Sequence, residues 1–187
     1  MIPQLLAAAS LLLPNATPPF VVVQPDAIPQ VVCKGPNYTD YGSAVRVGPT
    51  GLIVSVNHVT SSGACSINGK PINLAYKSPT RDFSEINGEP GPYIPVDCRG
   101  FIEGHKYLAL GHARAFTEIT PVELIATGIT DDGMAVLIGI FAVVPGMSGG
   151  AIIDEDTGKV VGVVNMENFE RGLSWSVALK DTPVCHA

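Results

Sequence analysis

Short apolar segments separated by glycine and proline recur along almost the whole chain. The 187 residues include 20 Gly and 16 Pro, and hydrophobic residues make up 46% of the total. The segments between these breaks are rich in β-branched residues, as in 51–59 (GLIVSVNHV) and 159–166 (KVVGVVNM). None of them keeps the 3.6-residue period of a capped amphipathic helix. The sequence therefore predicts an all-β protein made of many short strands.

Turn dipeptides join the predicted strands and divide the chain into two halves. The glycine pairs that suit hairpin turns are Asn68-Gly69, Asp132-Gly133, Thr157-Gly158 and Arg171-Gly172. A proline- and glycine-rich stretch near the middle predicts a linker. We expect four regions: an apolar, proline-rich leader (1–30), an N-terminal β-barrel lobe (31–90), an inter-lobe linker (91–100) and a C-terminal β-barrel lobe (101–187). Closed barrels would remove the exposed edges of so many apolar strands.

The charge of the chain argues against partners that carry many negative charges. The formal net charge is −6 and no cluster of Lys or Arg occurs, so neither nucleic acid nor an acidic membrane surface is an expected partner.

The four cysteines, Cys33, Cys65, Cys98 and Cys185, form no C-x-x-C pair. They can form two disulfides in any of three pairings, or remain as buried free thiols.

An apolar run from Leu5 to Leu13 is too short to span a bilayer as a helix. It is similar to the hydrophobic region of a signal peptide, although no basic residue precedes it. A secretion signal and an apolar leader that packs on the domain both remain open. No integral membrane span is expected, and the apolar N-terminus with four cysteines favours a secreted or periplasmic location.

The segment 145–154, PGMSGGAIID, places one serine among three glycines directly before a β-branched run. Glycine lets the backbone turn tightly and approach another group without a side chain in the way. Ser148 could then act as a nucleophile, and the N–H groups of Gly146 and Ser148 could converge on one point as an oxyanion hole. The alternative is a tight turn before a strand, with no chemistry in it.

A serine nucleophile needs a base, and the base needs an acid to orient it. His58 closes the predicted strand 51–59, which places it at a lobe edge, and Asp82 precedes another strand-like segment. His58 could instead be a core histidine, and Asp82 a solvated carboxylate paired with Arg81. Glu85 and Asp97 are weaker candidates for the acid. His105 and His112, with Cys98, have poor spacing for zinc, so no metal and no organic cofactor are expected.

The order His58, Asp82, Ser148 resembles that of the chymotrypsin-like (trypsin-fold) serine peptidases. The matching pieces are VSVNHVT, RDFSEI and PGMSGGAIIDEDTGKVVGVVNMENFERGLSWSVAL, which together cover roughly 43–180. The chain looks closer to the compact bacterial, phage and viral members than to the digestive enzymes. The resemblance implies two six-stranded antiparallel β-barrels with the active site in the cleft between them, and a protein or peptide substrate. It assigns the base to His58, its orientation to Asp82, and the nucleophile to Ser148.

The resemblance also assigns residues to substrate binding. Asn165, Met166 and Glu167 would lie along the edge where a substrate strand pairs, and Gly172 would line the primary specificity pocket. Ala142, at the base of that pocket, is not an acid, so a small or apolar side chain is expected there rather than Lys or Arg. Two departures stand out. Met147 replaces the Asp that often precedes the serine, and no cysteine follows His58 directly.

Three other functions fit part of the pattern. The sequence GMSGG matches the G-x-S-x-G elbow of α/β-hydrolases, but their histidine follows the serine, and here only His186 does so. A second possibility is the same fold with an inactive site, used as a binding module. A third is a self-processing viral or phage protease. The sequence predicts a serine endopeptidase that uses an acyl-enzyme intermediate, and leaves the oligomeric state open.

Overall fold

A computed structural model describes residues 23–131, 133–139, 141–168 and 172–186, and for 167 and 168 the backbone alone. Within these ranges the chain forms fourteen strands, a one-turn helix and short 3-10 turns. The all-β prediction is confirmed. Among the described residues, no helix has the length and apolar character needed to cross a membrane. The apolar run Leu5–Leu13 lies outside the described residues, and the predicted region boundaries stay predictions.

The first lobe consists of eight short strands. In chain order they are β1 (Gln30–Lys34), β2 (Thr39–Ser43), β3 (Val45–Arg46), β4 (Leu52–Ser55), β5 (Ala64–Ile67), β6 (Lys70–Pro71), β7 (Asn73–Lys77) and β8 (Ser84–Asn87). They pair in two four-stranded sheets, with orders β2-β1-β5-β6 and β3-β4-β8-β7.

The two sheets of the first lobe form one ring with sharp corners. A single residue, Ala44, separates β2 from β3, and Ile72 alone separates β6 from β7. At the first corner the N–H of Ala44 still donates to the carbonyl of Pro29 (3.0 Å), one step beyond the Gln30–Ser43 pair, and the next residue, Val45, already pairs with Val54 of the other sheet. Each pair is therefore one bent strand that passes from one sheet to the other. Counted in this way, six lengths of chain close a barrel, as the fold prediction requires.

The second lobe consists of six strands: β9 (Lys106–His112), β10 (Ile119–Ile129), β11 (Met134–Ile138), β12 (Ala151–Asp154), β13 (Val160–Asn168) and β14 (Leu173–Ala178). They close a barrel in the order β10-β11-β14-β13-β12-β9. In β10 the buried residues Val122, Leu124 and Ala126 alternate with exposed ones, the period of two that a barrel wall requires. The predicted six-stranded barrel is confirmed here without corners.

One hydrophobic core joins the lobes. It contains Val45 and Val54 from the first lobe and Leu110, Val177 and Leu179 from the second. A separate core fills the interior of the second barrel. Because burial of apolar surface is the main force that holds packed layers together, the shared core fixes the two lobes against each other and defines the cleft between them.

Both possible disulfides are present, and no cysteine is free. Cys33 pairs with Cys65 between the neighbouring strands β1 and β5. Cys98, in the segment between the lobes, pairs with Cys185 near the C-terminus. These bonds select one of the three pairings and exclude the alternative of buried free thiols.

Candidate active site

The predicted strand 51–59 ends earlier than expected. Strand β4 stops at Ser55, and a one-turn helix, α1 (Asn57–Thr60), carries His58. The placement of His58 at the end of a strand was therefore wrong. The physical reason is a tertiary contact: the side-chain amide of Asn57 donates to the carbonyls of Ser78 (3.1 Å) and Arg81 (2.9 Å). These bonds draw the turn towards the loop that precedes Asp82.

His58 and Asp82 make two contacts. The backbone N–H of His58 donates to Oδ1 of Asp82 (2.9 Å), and the ring Nδ1 lies 2.5 Å from Oδ2. Burial on its own raises the pKa of Asp82, but the hydrogen bonds and positive charge of His58 outweigh it and leave that pKa below its ordinary value. An ionised carboxylate only accepts hydrogen bonds, so Nδ1 is the donor. In the neutral ring the lone pair is then on Nε2, where a general base needs it.

The other candidate acids do not contact His58. The guanidinium of Arg81 lies 3.4 Å from Asp181, so Asp82 is not paired with Arg81. Asp97 forms an ion pair with Arg99. Glu85 lies on β8 and has a pKa raised by burial. Of the acids proposed from the sequence, Asp82 is the one that the structure brings to His58.

Ser148 lies in the loop between β11 and β12, and its side chain is buried. The two glycines beside it have left-handed backbones, with φ +97° at Gly146 and +86° at Gly149. A Cβ atom on Gly146 would lie 2.2 Å from the backbone nitrogen of Arg114, and one on Gly149 would lie 2.1 Å from the carbonyl of Ser43. The glycines are therefore required both for backbone conformation and for close approach.

Two N–H groups of this loop differ from the N–H groups next to them, which donate to backbone carbonyls. Met147 donates to the carbonyl of Val144 (3.0 Å), and Gly149 donates to the carbonyl of Val164 (2.7 Å). The N–H groups of Gly146 and Ser148 have no acceptor within the described part of the chain. Buried donors are seldom left without a partner. A pair of them on either side of a serine hydroxyl is the arrangement that an oxyanion hole requires.

The histidine and the serine meet in the cleft between the lobes. His58 and Ser148 line one cavity of about 130 Å³, together with Cys33, Gly42 and Val59 of the first lobe. The Ser148 hydroxyl donates to the carbonyl of Asn165 (3.2 Å). In structures without substrate such hydroxyls often point away from the base, and the productive bond forms in the complex. The structure therefore brings His58, Asp82 and Ser148 to one site.

The strand that follows offers an open edge beside Ser148. Along β13, pairing with β12 ends at Val163, whereas pairing with β14 continues to Asn168. From Asn165 onward one backbone edge has no strand partner in the described residues. Asn165 is buried and its amide donates to Sδ of Met134 (3.5 Å), while Met166 is exposed. Both line a cavity of about 200 Å³ with Asp82. For Glu167 only the backbone is described.

The residues predicted for the specificity pocket lie in the segments that follow β11 and precede β14. Ala142 is partly buried in the β11–β12 loop, and Gly172, with φ +60°, precedes β14. The carbonyl of Gly172 accepts from the N–H of Gly139 (3.2 Å), which ties the two segments together. Residues 140 and 169–171 lie outside the described residues, so the pocket roles of Ala142 and Gly172 stay predictions.

The residues considered for zinc are not assembled. Cys98 is in a disulfide, and Nε2 of His112 lies 2.7 Å from the carbonyl of Ile28. His105 lies instead beside Asp154 (3.3 Å) and Asp156 (3.6 Å). Asp154 already accepts the N–H groups that follow it, and so shapes the turn between β12 and β13.

Ser43 is a residue of the site that the sequence pattern does not identify. Its N–H donates to the carbonyl of Ser148 (2.8 Å), and its hydroxyl donates to the carbonyl of Gly146 (2.8 Å). Ser43 is fully buried between the lobes. A single serine inside a strand-like segment carries no motif, and only the contact across the lobes shows what it does.

No protein-family model matches the chain, and no curated protein matches it significantly. Solved structures do match. A serine endoprotease from Yersinia pestis superposes with a TM-score of 0.70 at 19% identity, covering 86% of this chain and 60% of that one. A protease from M. tuberculosis in its active form gives 0.71 at 15%, covering 84% and 78%. The HtrA-type protease AlgW with a tripeptide gives 0.68 at 19%, covering 82% and 56%.

The chain thus spans less than two thirds of the length of the Yersinia protein and of AlgW. The Yersinia neighbour is a serine endoprotease, and the other two are proteases. Identities below 20% carry information on the fold rather than on substrates. By its two β-barrels, its cleft and these superpositions, the chain has the fold of the chymotrypsin-like serine peptidases.

Proposed function

We propose that this protein is a serine endopeptidase that cleaves peptide bonds through an acyl-enzyme intermediate. The observation that carries the proposal is the shared cleft. In it, an imidazole oriented by an ionised carboxylate lines the same cavity as a buried serine hydroxyl. The N–H groups of Gly146 and Ser148 beside that hydroxyl find no acceptor among the described residues. His58, Asp82 and Ser148 are its base, orienting acid and nucleophile, and the solved neighbours with this fold are proteases.

The chemistry follows from the geometry. A peptide strand pairs with the open edge of β13 at Asn165–Glu167. The N–H of the residue before the scissile bond, P1, donates to the carbonyl of Asn165 and so displaces the Ser148 hydroxyl that occupies it. The hydroxyl turns to Nε2 of His58, which takes its proton as Oγ attacks the substrate carbonyl. The N–H groups of Gly146 and Ser148 donate to the oxyanion that forms.

The second half of the reaction releases both products and returns the proton to Ser148. His58 gives it to the leaving amine as the C–N bond breaks, which leaves the acyl chain on Oγ of Ser148. A water molecule then loses a proton to His58 and attacks the ester, and the proton passes back to Oγ as the acid product leaves. Asp82 stays ionised throughout and stabilises the imidazolium. Because Ala142 offers no charge, we expect a small or apolar P1 side chain rather than Lys or Arg.

The test combines an activity-based probe with a matched pair of serine variants. A fluorophosphonate should label wild-type protein at Ser148, and Ser148→Ala should abolish both the adduct and the cleavage of a peptide library. Ser62 lines the same cavity, so Ser62→Ala should keep both. Label or cleavage that persists in Ser148→Ala would overturn the proposal, and a wild-type protein that neither labels nor cleaves would point to a binding module.

The same preparation addresses cleavage of the chain by itself. Intact-mass measurement of wild-type protein and of Ser148→Ala shows whether fragments form. Fragments that occur only in the wild type indicate self-processing, while cleavage of added peptides with an intact chain indicates action on other proteins.

A further inference from the structure

We propose that Gln30 and Ser43, both in the first lobe, are positioning residues for the oxyanion hole in the second. The inference rests on the proposed function, because it assigns a role in catalysis to contacts remote from the reacting atoms. It concerns one peptide unit, the one that joins Pro145 to Gly146 and carries the N–H of Gly146.

The carbonyls on either side of Gly146 are both held. The carbonyl of Pro145 accepts from the N–H of Arg114 (2.8 Å), and the carbonyl of Gly146 accepts from the hydroxyl of Ser43 (2.8 Å). In a trans peptide the C=O and the N–H point in opposite directions. Fixing the Pro145 carbonyl on Arg114 therefore directs the N–H of Gly146 to the other side, where no described group accepts it.

The donor on Arg114 depends on a strained turn. Arg114 has a φ of +51°, which is uncommon for a residue with a side chain and costs energy unless the surroundings hold it. The Nε2 amide of Gln30 donates to the carbonyls of both Arg114 (2.9 Å) and Phe116 (3.0 Å). Since Phe116 is 65% exposed, its side chain does not anchor the turn. Among the described residues, the two bonds from Gln30 are the side-chain hydrogen bonds that hold this turn.

Ser43 acts from the other side. Its hydroxyl accepts from the N–H of His112 (2.8 Å) while it donates to the carbonyl of Gly146. Its own N–H donates to the carbonyl of Ser148. One residue of the first lobe thus holds the carbonyl of Gly146, in the peptide unit that follows the oxyanion N–H, and the carbonyl of the nucleophile Ser148. The two positioning residues therefore act on the two peptide units that flank the Cα of Gly146. Gln30 acts on the preceding unit through the loop 113–118, and Ser43 bonds directly to the following one.

A looser Gly146 peptide has a specific kinetic consequence. The oxyanion exists only in the transition state and the tetrahedral intermediate, so a misplaced donor lowers kcat while KM changes little. Removing one whole oxyanion donor costs about 100- to 1000-fold in kcat. Removing the support of that donor should cost less, about 10-fold for Gln30 and somewhat more for Ser43, which bonds directly to the carbonyl of Gly146.

The decisive variant is Gln30→Met, which keeps the length of the side chain and removes both donors. Its matched control is Gln24→Met, because Gln24 is exposed and its side chain makes no hydrogen bond to the described residues. Ser43→Ala is the second variant. Four quantities are compared: kcat and KM on a peptide substrate, affinity for a peptide boronate that mimics the tetrahedral intermediate, and amide hydrogen exchange of peptides covering 141–149.

We expect Gln30→Met to show a lower kcat, an unchanged KM, about 10-fold weaker boronate binding and faster exchange in 141–149. Gln24→Met should match the wild type. Unchanged exchange and kcat in Gln30→Met would overturn the inference, as would a change confined to KM. If wild-type protein is inactive but Gln30→Met exchanges faster at 141–149, the positioning contact stands and the proposed peptidase function fails.

Discussion

The two lobes hold their parts of the site by different means. In the first lobe the groups are side chains with access to solvent: His58 is 48% exposed and Asp82 is 28% exposed. In the second lobe the groups are a serine that is 8% exposed and backbone N–H groups set by left-handed glycines. In the proposed mechanism, the side chains of the first lobe carry out the proton transfer, and the backbone of the second lobe stabilises the oxyanion.

This difference has a consequence for mutation. A polar side chain near solvent can be removed with little loss of packing, whereas a buried turn built on close backbone approach cannot accept even a methyl group. Substitutions in the first-lobe half of the site should therefore remove activity and leave stability almost unchanged. Substitutions in the second-lobe half should reduce both together.

The largest expected effect is loss of the base. His58→Ala should reduce turnover about 10⁴-fold or more, equivalent to about 5.5 kcal/mol of transition-state stabilisation, and leave the melting temperature within a few degrees.

Asp82→Asn should fold normally and lose most activity, because the amide imposes the wrong tautomer on His58. Peptide turnover and thermal unfolding give the two readouts, with the exposed His186→Ala as control. Full activity in Asp82→Asn would move the acid role to another carboxylate.

The second largest effect concerns the disulfides, which tie the two regions differently. Cys33–Cys65 spans 32 residues within the first lobe, and Cys98–Cys185 spans 87 residues across the second. The loop-entropy relation gives about 3.7 and about 4.6 kcal/mol of unfolding free energy. Replacing each pair by alanine and measuring urea unfolding tests the ranking. A larger loss from the Cys33–Cys65 pair would show that packing next to the cleft, rather than loop length, decides the stability.

The third effect tests the backbone role of the second lobe. Gly146→Ala combines a φ of +97° with a contact of 2.2 Å to Arg114. It should reduce kcat by about 100-fold or more and destabilise the protein by about 1–3 kcal/mol. Gly69→Ala in the first lobe is the matched control, since φ is +75° but no atom lies within 4 Å of the added Cβ. It should show the strain alone, with turnover unchanged.

If Gly146→Ala kept full activity, the oxyanion would not depend on this peptide and the contrast between the lobes would fail. If Gly69→Ala lost activity as well, the glycine effect would be one of general stability. Denaturant unfolding and kcat measured on the same samples separate these outcomes.

Local pattern was enough to predict the all-β class, and the resemblance to the chymotrypsin-like serine peptidases added the three residues of the cleft. Alternation and turn dipeptides predicted an all-β chain, because in-out periodicity is a property of each strand. The order His58, Asp82, Ser148 identified the groups that the structure brings together. The corners at Ala44 and Ile72 were not predictable, because a bent strand has the same apolar pattern as a straight one.

Contacts between distant segments account for what the sequence did not show. The end of β4 at Ser55 depends on bonds from Asn57 to a loop more than twenty residues away. Ser43 and Gln30 bond to backbone carbonyls 103 and 84 residues later in the chain. Hydrogen bonds to a backbone leave no trace in the identity of the accepting residue, so neither spacing nor composition could identify these partners.

The smallest expected effect concerns Glu85, a partly buried acid of the first lobe that has no role in the proposed site. Burial raises its pKa above 4.5, and its Oε1 atom is buried with no hydrogen-bond partner in the described residues. A raised pKa means that folding favours the protonated acid. The stability due to this group is therefore fully present below pH 4.5 and is lost as the pH rises through the raised value.

Glu85→Gln stays neutral at every pH, so at pH 7 it should be more stable than the wild type by a few tenths of a kcal/mol. The difference should shrink as the pH falls towards 4 and the wild-type acid protonates. Glu89→Gln in the same lobe should do the reverse, because the hydrogen bond from Lys70 lowers the pKa of Glu89, and its contribution is lost on acidification. Urea unfolding at pH 4, 5.5 and 7 measures both. If the free energy of unfolding changed with pH in the same way in both variants, folding would not shift the pKa values of Glu85 and Glu89 in opposite directions.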